Sequence, residues 1–167
     1  MESIGPEQLT RWFDAHAAAM VLYARQWLEA GRAEDVVQDV FVRLMTGRVR
    51  PANVRAWLFR CVRNAAMNEL RRHRRRRARR ERLGAERAGW FGSNPGDLID
   101  AADVQAALAD LPNQQREAIV LRIWGGLSLR EVAEVTGSAV STVFSRYRAG
   151  LAEIRKRMSK PCKTTND

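Results

Sequence analysis

Apolar residues recur along most of the chain at spacings of three and four, which is the period of an amphipathic α-helix. The first such stripe runs from Leu9 to Trp27, and Gly31 is expected to end its helix. No convincing alternation with a period of two appears, so no strand is predicted. The members of this first stripe are Leu9, Phe13, Ala17, Met20, Ala24 and Trp27.

Two further stripes predict two more helices before the middle of the chain. Gly47 and Pro51 mark the loop "TGRVRPAN" between them, and Asn53 can cap the helix that follows. That helix is expected to continue into an arginine-rich block. The inner face of the second helix is predicted to consist of Val36, Val37, Val40, Phe41 and Leu44. The inner face of the third is predicted to consist of Val54, Trp57, Leu58, Cys61, Val62 and Ala65.

A change in composition separates the two halves of the chain. Residues 84–100 contain four glycines and a proline and are interpreted as a linker. Trp90 and Phe91 within it are expected to pack on a neighbouring domain, and a docking site for a partner is the alternative. A helix is predicted over residues 101–111, and Pro112 suits the first turn of another.

The second half ends in a short helix, a glycine turn and a longer helix, which is the pattern of a helix-turn-helix. Ser128 and Glu131 form a capping box, and Gly137 is a candidate left-handed C-cap. Ser141 is expected to open the last helix. Its apolar stripe is Val143, Tyr147, Leu151, Ile154 and Met158. The predicted fold is therefore all-α, with two small helical bundles joined by a flexible linker.

The net charge of +10 is concentrated in the middle of the chain. Residues 1–50 carry about −1, residues 51–100 about +8 and residues 101–167 about +3, and nine of the twelve residues from Arg71 to Arg82 are arginine. Such a patch predicts a polyanionic partner. Two distant cysteines and no Cys/His cluster predict reduced thiols, no zinc and no cofactor. No apolar run reaches the roughly 18 residues of a membrane span, so an intracellular protein is expected.

The second half resembles region four of bacterial RNA polymerase sigma factors over "LADLPNQQREAIVLRIWGGLSLREVAEVTGSAVSTVFSRYRAGLAEIRKRM". In the first half, "AEDVVQDVFVRL" resembles region two, and "VRAWLFRCVRNAAMNELRR" is similar to the helix that follows it in the family. Nothing resembling regions one or three precedes or separates them, which is typical of the extracytoplasmic-function subfamily. The resemblance implies a region-two-like domain over residues 1–83, a linker over 84–100 and a region-four-like domain over 101–160.

An alternative sigma factor is implied: a protein that is not an enzyme, binds core RNA polymerase and promoter DNA, and helps to open the duplex. The family's contact with the polymerase clamp helices maps onto Asp35, Gln38 and Asp39. The loop over residues 46–53 would capture a base of the melted downstream element. Contacts to the single strand would come from Arg60, Arg63, Asn64, Asn68, Arg71 and Arg72, and contacts to phosphates from Arg74, Arg75, Arg76 and Arg77. The upstream element would meet Ser141, Thr142, Phe144, Ser145, Arg146 and Arg148.

Three alternatives stay open at the level of sequence. A stand-alone helix-turn-helix regulator would explain residues 101–158 but not "AEDVVQDVF". An arginine-rich RNA-binding module would explain the basic block, and the DNA-binding part of a recombinase would explain the helix-turn-helix. For a sigma factor, regulation is expected from outside the chain, with an anti-sigma factor as a candidate partner, and the location is expected to be the bacterial cytoplasm.

Overall fold

The computed structural model describes residues 4–46, 51–81 and 102–159, and these residues form seven helices. Residues 47–50 of the predicted loop, and the predicted linker with Trp90 and Phe91, lie outside the described residues. Among the described residues, no helix combines the length and apolar character that a bilayer span requires. The helices are α1 (Pro6–Ala24), α2 (Ala30–Thr46), α3 (Val54–Glu81), α4 (Ala102–Ala109), α5 (Asn113–Ile123), α6 (Leu129–Thr136) and α7 (Val140–Met158).

Helices α1, α2 and α3 pack against one another and form the first unit. All five apolar residues predicted for the inner face of α2 are buried, which confirms that stripe. The centre of the unit is aromatic: the Tyr23 ring packs edge-on against Trp27, with centroids 5.1 Å apart, and against Phe59 at 5.7 Å. Phe59 is fully buried although the predicted stripe of α3 omits it.

The predicted break at Gly31 is wrong. Helix α1 ends at Ala24, and the chain turns over residues 25–29 by tightened backbone hydrogen bonds, such as that from the Gln26 N–H to the Tyr23 carbonyl at 3.2 Å. Helix α2 begins at Ala30, so Gly31 lies in its first turn, where backbone N–H groups need no acceptor within the helix.

One aromatic residue of the predicted first stripe is not buried. Phe13 is 43% exposed. Its ring contacts Phe41 edge-on, with a centroid distance of 5.0 Å, so it covers the margin of the core instead of entering it. The inward side of α1 near Phe13 includes Leu9, which belongs to the predicted stripe, and Trp12 and Ala19, which the stripe omits.

Helices α4 to α7 form the second unit, in which α7 contacts the other three. Gly150 allows α7 to approach α5 closely, because a Cβ atom there would lie 2.5 Å from the Cδ1 atom of Ile119.

The predicted capping box at Ser128 and the left-handed Gly137, with φ of 66°, are both confirmed. Helix α7 begins at Val140, one residue before the predicted start. Met158 was predicted to face inward but is 59% exposed, because the helix continues past the core.

The two units contact each other. Helix α6 packs on α3, helix α5 packs on α1, and the buried apolar residues of both units belong to one continuous cluster. The contact region between the units, formed by α1 and α3 on one side and α5 and α6 on the other, is called the junction below. The domain boundaries at residues 83 and 101 stay a prediction, because they lie outside the described residues.

Candidate nucleic-acid interface

One exposed face of α3 carries the predicted polar contacts. Arg60, Asn64 and Asn68 follow one another at intervals of four residues, and all three side chains are exposed. Residues at this spacing lie above one another on a helix surface. Arg71 and Arg72 extend the same exposed surface toward the C-terminal end of the helix. The structure therefore brings together five of the six residues that were predicted to contact a single strand.

The arginine block is helical as far as it is described, to Glu81, as predicted. Helix α3 has 28 residues and is about 42 Å long at 1.5 Å per residue. Every side chain from residue 71 to residue 79 is exposed, so the C-terminal part of the helix extends beyond the bundle. Arg74, Arg75, Arg76 and Arg77 lie on this extension and point in different directions around the helix axis. This geometry suits contacts with a phosphate backbone more than the reading of a base edge.

Arg63 lies apart from that stripe. Its Nε donates a hydrogen bond of 2.7 Å to the Oε1 of Glu117, which also accepts one of 2.6 Å from the Tyr23 hydroxyl. The Glu117 side chain is only 7% exposed. Burial and the adjacent Glu117 carboxylate together raise the pKa of Tyr23 well above its ordinary value. Burial lowers the pKa of Arg63, but the hydrogen bond and charge of Glu117 outweigh it and raise the pKa.

Asn53, the last residue of the predicted base-capturing loop, lies at the other end of the junction. Its Oδ1 accepts a hydrogen bond of 3.1 Å from the Ala56 N–H and caps α3 as predicted. Its Nδ2 donates to the Oε1 of Glu131, and the Nη2 of Arg55 lies 3.4 Å from the same oxygen. Burial acts to raise the pKa of Glu131, but hydrogen bonds from Ser128 and Asn53 and the charge of Arg55 lower it to about 2.

The helix-turn-helix presents an exposed polar face at the start of α7. Phe144 is exposed, and the Arg148 guanidinium lies 5.6 Å from the centre of its ring. Arg146 is half-buried, and its Nη1 donates a hydrogen bond of 2.9 Å to the Ser138 hydroxyl in the turn, which fixes the direction of the side chain. Ala139 provides no side-chain cap, so the first N–H groups of α7 gain no side-chain partner from it. The other predicted contacts, Ser141, Thr142 and Ser145, are exposed.

The acid and amide face of α2 is exposed as predicted. Asp35, Gln38 and Asp39 all point away from the core, although Asp35 lies 3.7 Å from Arg32 in an exposed ion pair. Val42 and Met45 continue the line begun by Asp35 and Gln38 and are 52% and 56% exposed. The predicted polymerase contact on α2 did not include these two apolar residues. Their position outside the buried stripe of α2 was the available signal.

Two protein-family models match the chain. The model of Sigma-70 region 2 matches residues 12–76, and that of Sigma-70, region 4 matches residues 101–154. The ECF RNA polymerase sigma factor EcfG of Rhodopseudomonas palustris (strain TIE-1) is 34% identical over 130 residues, which are 75% of this chain and 70% of that protein. The ECF RNA polymerase sigma factor SigL of Mycobacterium tuberculosis (strain H37Rv) is 33% identical over 156 residues, or 86% of this chain and 84% of that protein.

Solved structures share the arrangement of helices. The sigma factor RpoE from Bartonella quintana, in complex with the anti-sigma factor NepR, superposes with a TM-score of 0.71 at 23% identity, over 93% of this chain and 99% of that one. CnrH in complex with the cytosolic domain of CnrY superposes with a TM-score of 0.58 at 28% identity, over 92% of this chain and 89% of that one. The all-α fold predicted from the sequence is confirmed.

Proposed function

Because the chain belongs to the ECF family of RNA polymerase sigma factors, we propose that three of its surfaces divide the work of promoter-specific initiation. A sigma factor is not an enzyme, and the polymerase supplies the catalysis. The observation that carries the proposal is the separation of an acid and amide face on α2, a polar and basic stripe on α3 and a helix-turn-helix in α6 and α7. A stand-alone helix-turn-helix regulator or an RNA-binding module would leave the region 2 match unexplained.

The α2 face is the proposed contact with core RNA polymerase. Asp35, Gln38 and Asp39 offer carboxylate and amide oxygens to a basic partner, which favours rapid and specific association. The exposed apolar side chains of Val42 and Met45 would supply buried area beside these polar groups.

The α3 face is the proposed contact with the melted downstream promoter element. Asn64 and Asn68 can hydrogen-bond the edges of unstacked bases, while Arg60, Arg71 and Arg72 can neutralise the adjacent phosphates. Arg74 to Arg77 lie beyond these residues and are proposed to bind phosphates without regard to sequence. The loop over residues 46–53 is proposed to capture an unstacked base. Within the junction, Arg63 and Asn53 are proposed to contribute to DNA binding when Glu117 and Glu131 do not hold them.

Helix α7 is the proposed reading helix for the upstream element. In a helix-turn-helix, residues near the start of the second helix reach base edges in the major groove. Arg146 and Arg148 can pair with guanine, and Phe144 can contact a thymine methyl group. The hydroxyls of Ser141, Thr142 and Ser145 can reach phosphates or bases. The uncapped N–H groups of α7 suit a phosphate as well.

An anti-sigma factor is a further proposed partner. Two of the solved structures that resemble this chain are complexes: the sigma factor RpoE with the anti-sigma factor NepR, and CnrH with the cytosolic domain of CnrY. A protein that binds this chain and blocks its contacts with polymerase would regulate it from outside. The bacterial cytoplasm, where core polymerase acts, is the proposed location.

Capture of purified core polymerase tests the assignment of the α2 face. Charge reversal by Asp39→Arg is expected to abolish capture while helicity by circular dichroism stays unchanged. Asp14→Arg makes the same change at another exposed carboxylate, on α1, and is the matched control. Wild-type capture by the Asp39→Arg variant, or equal loss in both variants, would show that α2 does not form the polymerase contact.

A further inference from the structure

The junction sets acidic side chains of the second unit on residues of the first unit that are proposed to bind DNA. We propose that the second unit docks on the first through Glu117 and Glu131, and that this docking competes with single-stranded promoter DNA for Arg63 and Asn53. The competition rests on the function proposed above for these two residues, whereas the docking rests on the contacts alone. The free protein would therefore bind a single strand less tightly than its exposed charges suggest.

Glu117 is the centre of the docking contact. It belongs to α5, yet both of its hydrogen-bond donors come from the other unit, Tyr23 from α1 and Arg63 from α3. A carboxylate on an arginine makes the same kind of charge-assisted hydrogen bond as a phosphate oxygen. The Nε–H of Arg63 cannot serve both acceptors at once, so a phosphate can take this donor only after Glu117 leaves.

Glu131 makes the second docking contact, and its two carboxylate oxygens have different hydrogen-bond partners. Its Oε2 accepts a hydrogen bond of 2.6 Å from the Ser128 N–H and completes the capping box within α6. Its Oε1 faces the first unit and accepts from the Nδ2 of Asn53, with Arg55 at 3.4 Å. The amide donor that Asn53 would offer to a base is therefore occupied in the docked arrangement.

A cleft at the same junction shows how docking restricts the approach to α3. The cleft has a volume of about 370 Å³ and lies between the start of α3 and α6, with Trp57 and Arg60 on one side and Glu134 on the other. Arg60 is the first residue of the exposed stripe, so a strand following that stripe toward Asn53 would meet α6. Undocking removes this wall together with both carboxylates.

Ionic contacts of this kind can be exchanged for others. A buried ion pair gives little net stabilisation, because the desolvation of both charges offsets their attraction. When Glu117 leaves Arg63, both groups return to water and DNA can take the arginine. By contrast, the loss of one partner while the other stays buried is strongly unfavourable. Neutralising a single carboxylate should therefore shift the chain toward the undocked arrangement.

The test compares the full chain with Glu117→Gln, Glu131→Gln and the double variant. Glutamine at 131 can still serve in the capping box, so α6 should keep its start. Glu153→Gln is the matched control, because Glu153 pairs with Arg157 in its own helix. Small-angle scattering measures the radius of gyration, anisotropy with a short fluorescent single-stranded oligonucleotide measures binding, and circular dichroism verifies helicity. We expect a larger radius and about tenfold or more tighter binding for the double variant, from the release of the buried Glu117 contact and the more exposed Glu131 contact, and no change in the control.

Each outcome decides one part of the proposal. A double variant as compact as the wild type overturns the docking contact. A variant that expands without tighter binding overturns the competition. Addition of Arg63→Gln to the expanded variant then separates the two claims: loss of binding keeps Arg63 as a DNA contact, and unchanged binding refutes its role in the proposed function. If Glu117→Gln lowers helicity, Glu131→Gln alone carries the comparison.

Discussion

The hydroxyl of Tyr23 offers a sharp energetic test of the junction, because it makes one buried hydrogen bond between the two units. Tyr23→Phe keeps the ring and its edge contacts with Trp27 and Phe59 but removes the donor that lies 2.6 Å from Glu117. A hydrogen bond to a charged group contributes about 1.5–3 kcal/mol. Glu117 keeps Arg63 as a partner, so we expect a loss of about 2 kcal/mol. For a chain of this size that corresponds to a fall in Tm of about 4–8 °C.

Urea unfolding followed by circular dichroism measures this free energy, and Tyr147→Phe is the matched control. Tyr147 is half-buried in the second unit, and its hydroxyl makes no hydrogen bond among the described residues. Its removal is expected to change the free energy of unfolding by less than about 0.5 kcal/mol. An equally small effect of Tyr23→Phe would refute the buried contact with Glu117. A loss that appears in only one of two separate transitions would refute the coupling of the units.

Three further predictions concern single features of the fold and the arginine block. Gly137→Ala should lower the free energy of unfolding, measured in urea, by about 1 kcal/mol, because the φ of Gly137 is 66°. Gly31 lies in a helical turn, and a Cβ added there would meet nothing within 4 Å. Gly31→Ala should therefore be neutral or stabilising by up to about 1 kcal/mol. The pKa of Glu131 is about 2 in the folded chain, below its unfolded value near 4.3. Ionised Glu131 therefore contributes its full stabilisation of the fold above about pH 4.3, and this contribution is lost as pH falls toward 2. Urea unfolding across this range should show less acid dependence for Glu131→Gln. Glutamine in place of Arg74–Arg77 should flatten the log–log salt dependence of DNA binding by about 0.9 per lost contact, equally for matched and scrambled promoters.

The parts of the fold that were predicted correctly are those decided by local pattern. The stripe of α2 was complete because one side of that helix meets the core and the other meets water. The capping box at Ser128 and the turn at Gly137 were correct because each depends on residues within a few positions. The prediction at Gly31 was wrong because glycine occurs both after the end of a helix and within the first turn of the next. The residue type alone does not distinguish these two positions.

The junction could not be predicted, because its contacts join residues far apart in sequence. Glu117 looks like a surface charge in the motif "QRE", and its burial depends on Tyr23, which lies 94 residues away. Arg63 stands three residues after Arg60, and only the packing of α5 decides that it faces Glu117 instead of solvent. Asn53 was predicted correctly as a cap, but its second partner, Glu131, comes from the other unit.

Run-off transcription with purified core polymerase on fragments of the organism's own genome tests the central claim most directly. We predict transcripts from a defined set of promoters when the chain is added, none of them with core polymerase alone, and loss of the whole set with Asp39→Arg. The same transcripts with and without the chain would contradict its assignment as a sigma factor. An unchanged set with the Asp39→Arg variant would contradict the polymerase contact on α2.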